Sequence, residues 1–326
     1  MKLLTKADLK HAWKIIATTF ISFNDDNGLK LSASLAYYTI FSIAPLLILI
    51  ISLAGLFFGD AAATNRIYPQ IAHYVGPSAA LQIQDILKHL KLSGKSGTAV
   101  VFGIVILFLG ASGIFLEIQD SLNIIWNVKA KPKRGWLKLI QNRLLSFSLI
   151  IGLGFLLLAS LLVNLLISAL GEWIEHFIPA VTGLIIKGIN LGLTFVIISV
   201  LFGIIFKFLP DVKIKWREVR SGAIFTAILF MLGQYVITLY IQYMARSSAY
   251  GAAGSILVIL IWIYYTSAIL YIGAEYTEVY SEAIGSRIEP ADYAVHVQQT
   301  EIKEVVAVLP PQHPEVNRNF DSEGKD

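Results

Sequence analysis

The sequence contains no cysteine. Disulfides, thiolate metal sites and thiol nucleophiles are therefore excluded, and the redox compartment leaves no mark on the chain. Charge is scarce as well, at 15% of 326 residues, while 56% of the chain is hydrophobic and the mean hydropathy is +0.68. A water-soluble domain does not have that balance, and a polytopic membrane protein does. The six histidines, His11, His73, His89, His176, His296 and His313, are scattered with no pair at metal-ligand spacing. SGKSG at Ser93–Gly97 lacks the spacing of a phosphate loop. A nuclease would need clustered carboxylates or histidines beside a basic groove, and none is legible. The expectation is a protein that is not an enzyme, with no catalytic residues, no metal, no cofactor and no nucleic-acid partner. Residues Met1–Phe20 also lack the apolar core and small-residue cleavage site of a signal peptide.

What the chain does have is apolar runs. Leu31–Gly55 is 25 residues without a charge, about 37 Å of helix against a hydrocarbon core of about 30 Å. Ser34, Tyr37, Tyr38, Ser42 and Pro45 recur along it at three- and four-residue steps, so one stripe faces protein or a cavity. Pro45 removes the hydrogen bond to the carbonyl of Phe41 and predicts a helix kink. Further spans are predicted at Thr98–Leu116, Leu144–Ala169, Val181–Phe206, Ser221–Tyr243 and Gly254–Val279, six in all. Gly188, Gly192 and the GAAGS run at Gly251–Ser255 fit close helix approach. Lys187, two turns into the fourth span, is read as snorkelling to the outer surface.

Lysine and arginine set the orientation. The N-terminus carries Lys2, Lys6, Lys10, Lys14 and Lys30; the second-to-third link carries Lys129, Lys131, Lys133, Arg134, Lys138 and Arg143; the fourth-to-fifth carries Lys207, Lys213, Lys215, Arg217 and Arg220. The third-to-fourth link has Glu172 and Glu175 with no base, and the fifth-to-sixth only Arg246. Both termini are thus expected in the cytoplasm. The fold class is all-α, with amphipathic surface helices added to the six spans. Residues 1–30 form a cytoplasmic amphipathic helix with Lys6, Lys10 and Lys14 on one face and Leu9, Trp13, Ile16 and Phe20 on another. NDDNG at Asn24–Gly28 breaks it. Residues 31–280 are the transmembrane domain, with an outer segment at 60–97. Residues 281–326 carry four basic and nine acidic side chains and four prolines, and read from Arg287 onward as a disordered, acidic cytoplasmic tail.

Several stretches resemble one family. LSASLAYYTIFSIAPLL at Leu31–Leu47, FLPDVKIKWREVRSGA at Phe208–Ala223, and YGAAGSILVILIWIYYTSAILYIGAEYTEVY at Tyr250–Tyr280 together resemble the YihY/BrkB family of bacterial inner-membrane proteins. LEIQDSLNIIWNV at Leu116–Val128 is similar to that family's elbow after the second span. The resemblance implies a six-helix, multi-pass protein of the bacterial plasma membrane. It also implies an association with resistance to host killing and with export of lipids. A ribonuclease BN label that members have carried is regarded as mistaken.

Polar groups inside a span are costly, about 2.5–3.5 kcal/mol for an ionised acid near the bilayer centre, so each is a candidate for function. Tyr264, Ser267, Tyr271 and Glu275 form a polar stripe on the sixth span, and Glu117 ends the second. By the orientation above, these groups and Tyr37 and Tyr38 lie in the cytoplasmic half of the membrane. The site expected is a polar cavity lined by Tyr37, Tyr38, Glu117, Tyr264, Tyr271 and Glu275, open to the cytoplasmic leaflet and taking a lipid-like head group or a proton. The competing account pairs Glu275 and Glu117 with Lys207, Arg143 or main-chain donors as a simple helix lock. The function expected is a transporter or exporter of a lipid-like or amphipathic envelope component, with membrane lipids as partners. The alternative is a non-transporting scaffold that organises partner proteins in the envelope.

Overall fold

The structure, a computed structural model, describes residues 6–42, 97–131, 179–244 and 251–298, with scattered positions between 140 and 152. Pro45, the outer segment up to residue 96, the core of the third span and the tail beyond residue 298 lie outside the described residues. What is described is mostly helix.

Helix α1 (Lys6–Asp25) ends because Asn27 turns into the left-handed region at φ 56°, where the short amide side chain is better tolerated than most. The Asn27 carbonyl then accepts the amides of Lys30 and Leu31 at 2.8 and 3.1 Å and so starts α2, helical over residues 28–42. The next residue, Gly28, has no room for a side chain, since the Phe23 ring fills the space a Cβ would take. The break expected at NDDNG is therefore a tight corner between two helices. Asn127, at φ 53°, does the same for α3 (Gly97–Ile125), donating its amide to Ile124 at 3.0 Å before strand β1 (Val128–Ala130) begins. The elbow of the sequence is the end of a straight helix and this turn.

Helix α4 (Pro179–Phe208) opens on a proline, whose missing N–H costs nothing in the first turn, and stops before Pro210, which cannot continue it. Strand β2 (Val212–Lys213) leads into α5 (Trp216–Met244), with Glu218 in its first turn where a carboxylate suits the helix dipole. Helix α6 (Gly251–Ala283) closes in a Schellman motif. Gly285 at φ 73° donates to Glu282, and the Ser286 amide donates to the Ser281 carbonyl at 2.9 Å. Strands β3 (Glu289–Pro290) and β4 (Ala294–His296) follow.

Helix α5 packs against both α4 and α6, while α1 and α3 lean on α6. The core between them holds Leu122, Ile125, Trp126, Phe202, Phe206, Val219, Tyr271 and Ala274. The Trp126 indole N–H donates to the Ala274 carbonyl at 3.1 Å and so pins the turn after α3 to α6. Two of the described helices are long and apolar enough to cross a membrane, over Ile186–Phe208 and Trp216–Val236. On α1 the buried side chains are Thr19 and Phe23, while Trp13 is 71% exposed and Phe20 and Ile21 are exposed too. The apolar face read from the sequence is thus not the face that packs. Among the described residues nothing comes within 4 Å of where a side chain at Gly188 or Gly192 would sit. Close approach falls to Gly222, Gly233 and Gly273 on α5 and α6. Lys187 is exposed.

The tail after Arg287 corrects the expectation of disorder, as far as residue 296. β4 pairs antiparallel with β1, Val128 opposite His296 and Ala130 opposite Ala294, and β3 pairs with β2. Such short strands would not persist alone. They are held by Ala291 N–H donating to the Asp211 carbonyl at 3.0 Å and Lys131 N–H donating to the Tyr293 carbonyl at 2.7 Å. On the surface, Lys213 Nζ meets Asp292 at 2.5 Å, and this hydrogen bond, with the charge behind it, raises the lysine above its ordinary value. Exposed pairs of this kind contribute little. Asp292→Asn is expected to leave the melting temperature of the purified protein unchanged, and a large drop would mean that the strands are held from outside.

Candidate functional site

Two polar centres are buried where helix ends meet. The first lies between α6 and the α1–α2 corner. Glu275 is fully buried, and among the described residues no N–H or hydroxyl donor reaches either of its oxygens. The group within hydrogen-bonding reach is another carboxyl, that of Asp26. Burial raises the Asp26 carboxyl above the usual carboxylate range, the contact with Glu275 lowers it, and the charge of Asp25 raises it again. Asp25 and Glu278 add their charges to the field at Glu275, and no cation among the described residues acts there. One helical turn earlier, the fully buried Tyr271 hydroxyl lies beside Ser121 of α3, without a hydrogen bond of normal geometry, and in the field of Glu117.

The second centre is Asp211, in the turn between α4 and β2 and 2% exposed. Its Oδ1 accepts from Gln119 Nε2 at 3.1 Å and from the Tyr293 hydroxyl at 3.0 Å, and its Oδ2 accepts from Asn123 Nδ2 at 2.9 Å. The Asp211 amide donates to Asn123 Oδ1 at 2.9 Å, so Asn123 grips both its backbone and its side chain. Gln119 and Asn123 sit four residues apart on α3 and therefore project from one face. A single carboxylate thus ties together α3, the turn after α4 and the C-terminal strands. No group of three or more metal-ligating side chains occurs among the described residues.

The segments that build both centres belong to one recognisable sequence profile. The profile of the family described as virulence factor BrkB matches residues 19–295, which takes in Asp26, Asp211, Glu275 and Tyr293. The chain belongs to the BrkB family. It is 26% identical over 260 residues to a ribonuclease-like protein, YfkH, of Bacillus subtilis, covering 78% of this chain and 91% of that one. It is 28% identical over 255 residues to a UPF0761 membrane protein of Pseudomonas aeruginosa, covering 77% of this chain. The aligned region spans only 59% of that relative's length. A UPF0761 membrane protein of Pseudoalteromonas translucida is 25% identical over 260 residues, 78% of this chain and 81% of the relative. No solved structure matches the chain. This BrkB-family chain is accordingly a membrane protein.

Within it, the six residues expected to line one cavity divide into separate groups. Tyr271 and Glu275 are fully buried on α6, Tyr264 on the same helix is half-buried, and Glu117 on α3 is half-buried and close enough to act on Tyr271. Tyr37 is 61% exposed, and with Tyr38 and Phe41 it forms an exposed aromatic face on α2, its ring 5.9 Å from Tyr38 and 4.8 Å from Phe41. The helix-lock account named Lys207 as a partner for the acids. Lys207 instead donates to the Ile214 carbonyl and lies 5.7 Å from the centre of the Trp216 ring. Arg143 lies outside the described residues. Sequence reasoning missed Asp26 and Asp211 altogether. An aspartate directly after a helix-ending proline, as in Leu209-Pro210-Asp211, was the available signal for the second.

Proposed function

We propose that this protein is a six-span transporter or exporter of a lipid-like or amphipathic envelope component in the bacterial plasma (inner) membrane, with both termini cytoplasmic. It is not an enzyme in this reading, and its partners are the membrane lipids and the substrate drawn from them. The observation that carries the proposal is Glu275, a fully buried carboxyl that meets no N–H donor and no cation among the described residues, on a helix of the membrane body. A group so expensive to bury, without a cation to pair it among the described residues, is a candidate for function. The exposed aromatic face of Tyr37, Tyr38 and Phe41 supplies a surface suited to an amphipathic molecule: apolar rings for its chains, phenol hydroxyls for its head.

The topology has independent support. The α1–α2 corner lies against the C-terminal part of α6, and β1, β2, β3 and β4 meet around Asp211. Segments 26, 119–131, 208–213 and 289–296 thus share one side, which is the side that the lysines and arginines mark as cytoplasmic. An even number of crossings must separate each from the next, as six spans with both ends inside require. The exposed Trp13, Phe20 and Ile21 of α1, beside exposed Lys10 and Lys14, suit a helix at the surface of that leaflet.

Native mass spectrometry of the purified wild type and Glu275→Gln after mild detergent extraction tests the reading. The wild type is expected to retain a defined lipid or envelope precursor, and the equally folded variant to lose it. Bulk phospholipid alone, unchanged by the substitution, would favour the scaffold.

A further inference from the structure

We propose that Asp26 and Glu275 form a proton-binding site in which one proton, held between two carboxyls, docks the α1–α2 corner onto α6. The inference deepens the transporter reading by naming its coupling ion, and it stands or falls on a measurement that needs no substrate.

Two carboxyls within hydrogen-bonding reach of each other cannot both be acceptors only; one must carry the hydrogen. With both ionised, like charges would face each other with Glu275 held out of water, and no counter-charge from the described residues acts on it. The groups acting on Glu275 are Asp25 and Asp26 from the corner and Glu278 from its own helix, all acids, and Glu282 acts in turn on Glu278. From α3 the nearest titratable group is Glu117, which bears on Tyr271. Lys10 and Lys14 of α1 and Arg217 and Arg220 of α5, the helices packed on α6, are exposed. The arrangement that satisfies these atoms is Glu275 as O–H donor and an Asp26 oxygen as acceptor.

The corner is built to transmit what happens there. Asn27 ends α1 and starts α2 with no residue to spare, and the Phe23 ring fills the space beside Gly28, so the backbone that carries Asp26 is fixed to the corner. On deprotonation the O–H bond breaks, its electron pair stays on the carboxylate, and the proton leaves to water or to a base on the substrate. The two carboxylates then repel, and the corner parts from α6 carrying the root of α2. The same helix presents Tyr37, Tyr38 and Phe41 on its exposed face. Proton release at this pair is thereby linked to movement of the surface read as the substrate path.

Infrared difference spectroscopy of the purified full-length protein reads the proton directly. The wild type is expected to show carboxylic-acid carbonyl absorption that persists at neutral pH, with one component lost in Glu275→Gln and all of it unchanged in Glu289→Gln, where an exposed acid away from this cluster is altered. Asp26→Asn is expected to shift that component or its proton affinity by about tenfold or more, one pH unit. Absence of such absorption in the wild type at neutral pH overturns the proposal whether or not either variant folds. So does its displacement by sodium, which would make the pair a cation site. A band that behaves as expected in a protein that retains no defined lipid would leave the proton site standing and remove the transporter.

Discussion

Asp211→Ala is expected to lower the stability of the folded protein by about 3–5 kcal/mol, enough to empty most of the monodisperse fraction from a detergent extract. The carboxylate accepts hydrogen bonds from Gln119, Asn123 and Tyr293, and the first two of these side chains are buried where water does not easily replace the lost partner. Leaving such a donor unsatisfied costs about 1–3 kcal/mol, and here several are orphaned by one substitution. A graded series separates this account from a general intolerance of the turn. Tyr293→Phe removes one donor and is expected to cost about 1 kcal/mol. Asp211→Asn should fall between, since its amide oxygen still accepts while its NH2 opposes the incoming N–H groups. Equal losses across the three variants in thermal unfolding would show that the carboxylate is not the organising group.

The reasons why Asp211 was illegible in the sequence are physical. Hydropathy locates long apolar helices, and helices are found where it put them: the stretch Val181–Phe206 lies within α4, Ser221–Tyr243 within α5, and Gly254–Val279 within α6. The helices continue past the apolar stretch at their polar ends, by Trp216–Arg220 in α5 and Tyr280–Ala283 in α6, because a helix has no need to stop where the lipid does. The second span ends by composition at Leu116, yet α3 runs on to Ile125, and Gln119 and Asn123 lie in that overhang. Their partner is about ninety positions away, at |i−j| of 92 and 88. No local pattern announces such a contact. The same holds for β1 and β4, three residues each and far apart in the chain, whose strand character comes from pairing and not from propensity.

The site was half legible for a related reason. A carboxylate within an apolar helix is visible in any sequence, so Glu275 stood out, as did the stripe running back to Tyr271. Asp26 did not, because in NDDNG it reads as a helix breaker, and Asn27 does serve that purpose. Which acid of a turn faces inward depends on the corner's geometry, fixed by the positive φ of Asn27 and the contact between Phe23 and Gly28. The tyrosines of α2 share a stripe with one another, as expected, but the stripe faces outward. Periodicity assigns residues to a common face and leaves open where that face points.

Helix α6 is held in place to carry Glu275 by a contact that predicts the second large effect. Gly222→Ala is expected to destabilise the protein by about 1–3 kcal/mol, and the Gly222→Ala, Gly273→Ala pair by more. A Cβ at Gly222 would overlap Thr277 Oγ1, and one at Gly273 would overlap Thr226 Oγ1. The two helices thus exchange the same motif: a glycine and, four residues on, a threonine that presses on the partner's glycine. Neither threonine can simply rotate aside. Thr226 donates its hydroxyl to the Gly222 carbonyl and Thr277 to the Gly273 carbonyl, both at 2.7 Å, so each is tied to its own helix. Close approach through small residues is how helices associate where lipid removes the hydrophobic drive. Adding Thr277→Ala to Gly222→Ala removes the overlapping atom and is expected to recover most of the loss, a coupling of about 1–2 kcal/mol in a double-mutant cycle read by thermal unfolding. Because Thr277 lies two residues from Glu275, the single variant should also loosen the docking of α6 on the α1–α2 corner, and the rescue should restore it. A cycle with no coupling would mean that Gly222 matters for its backbone freedom and not for the room it leaves.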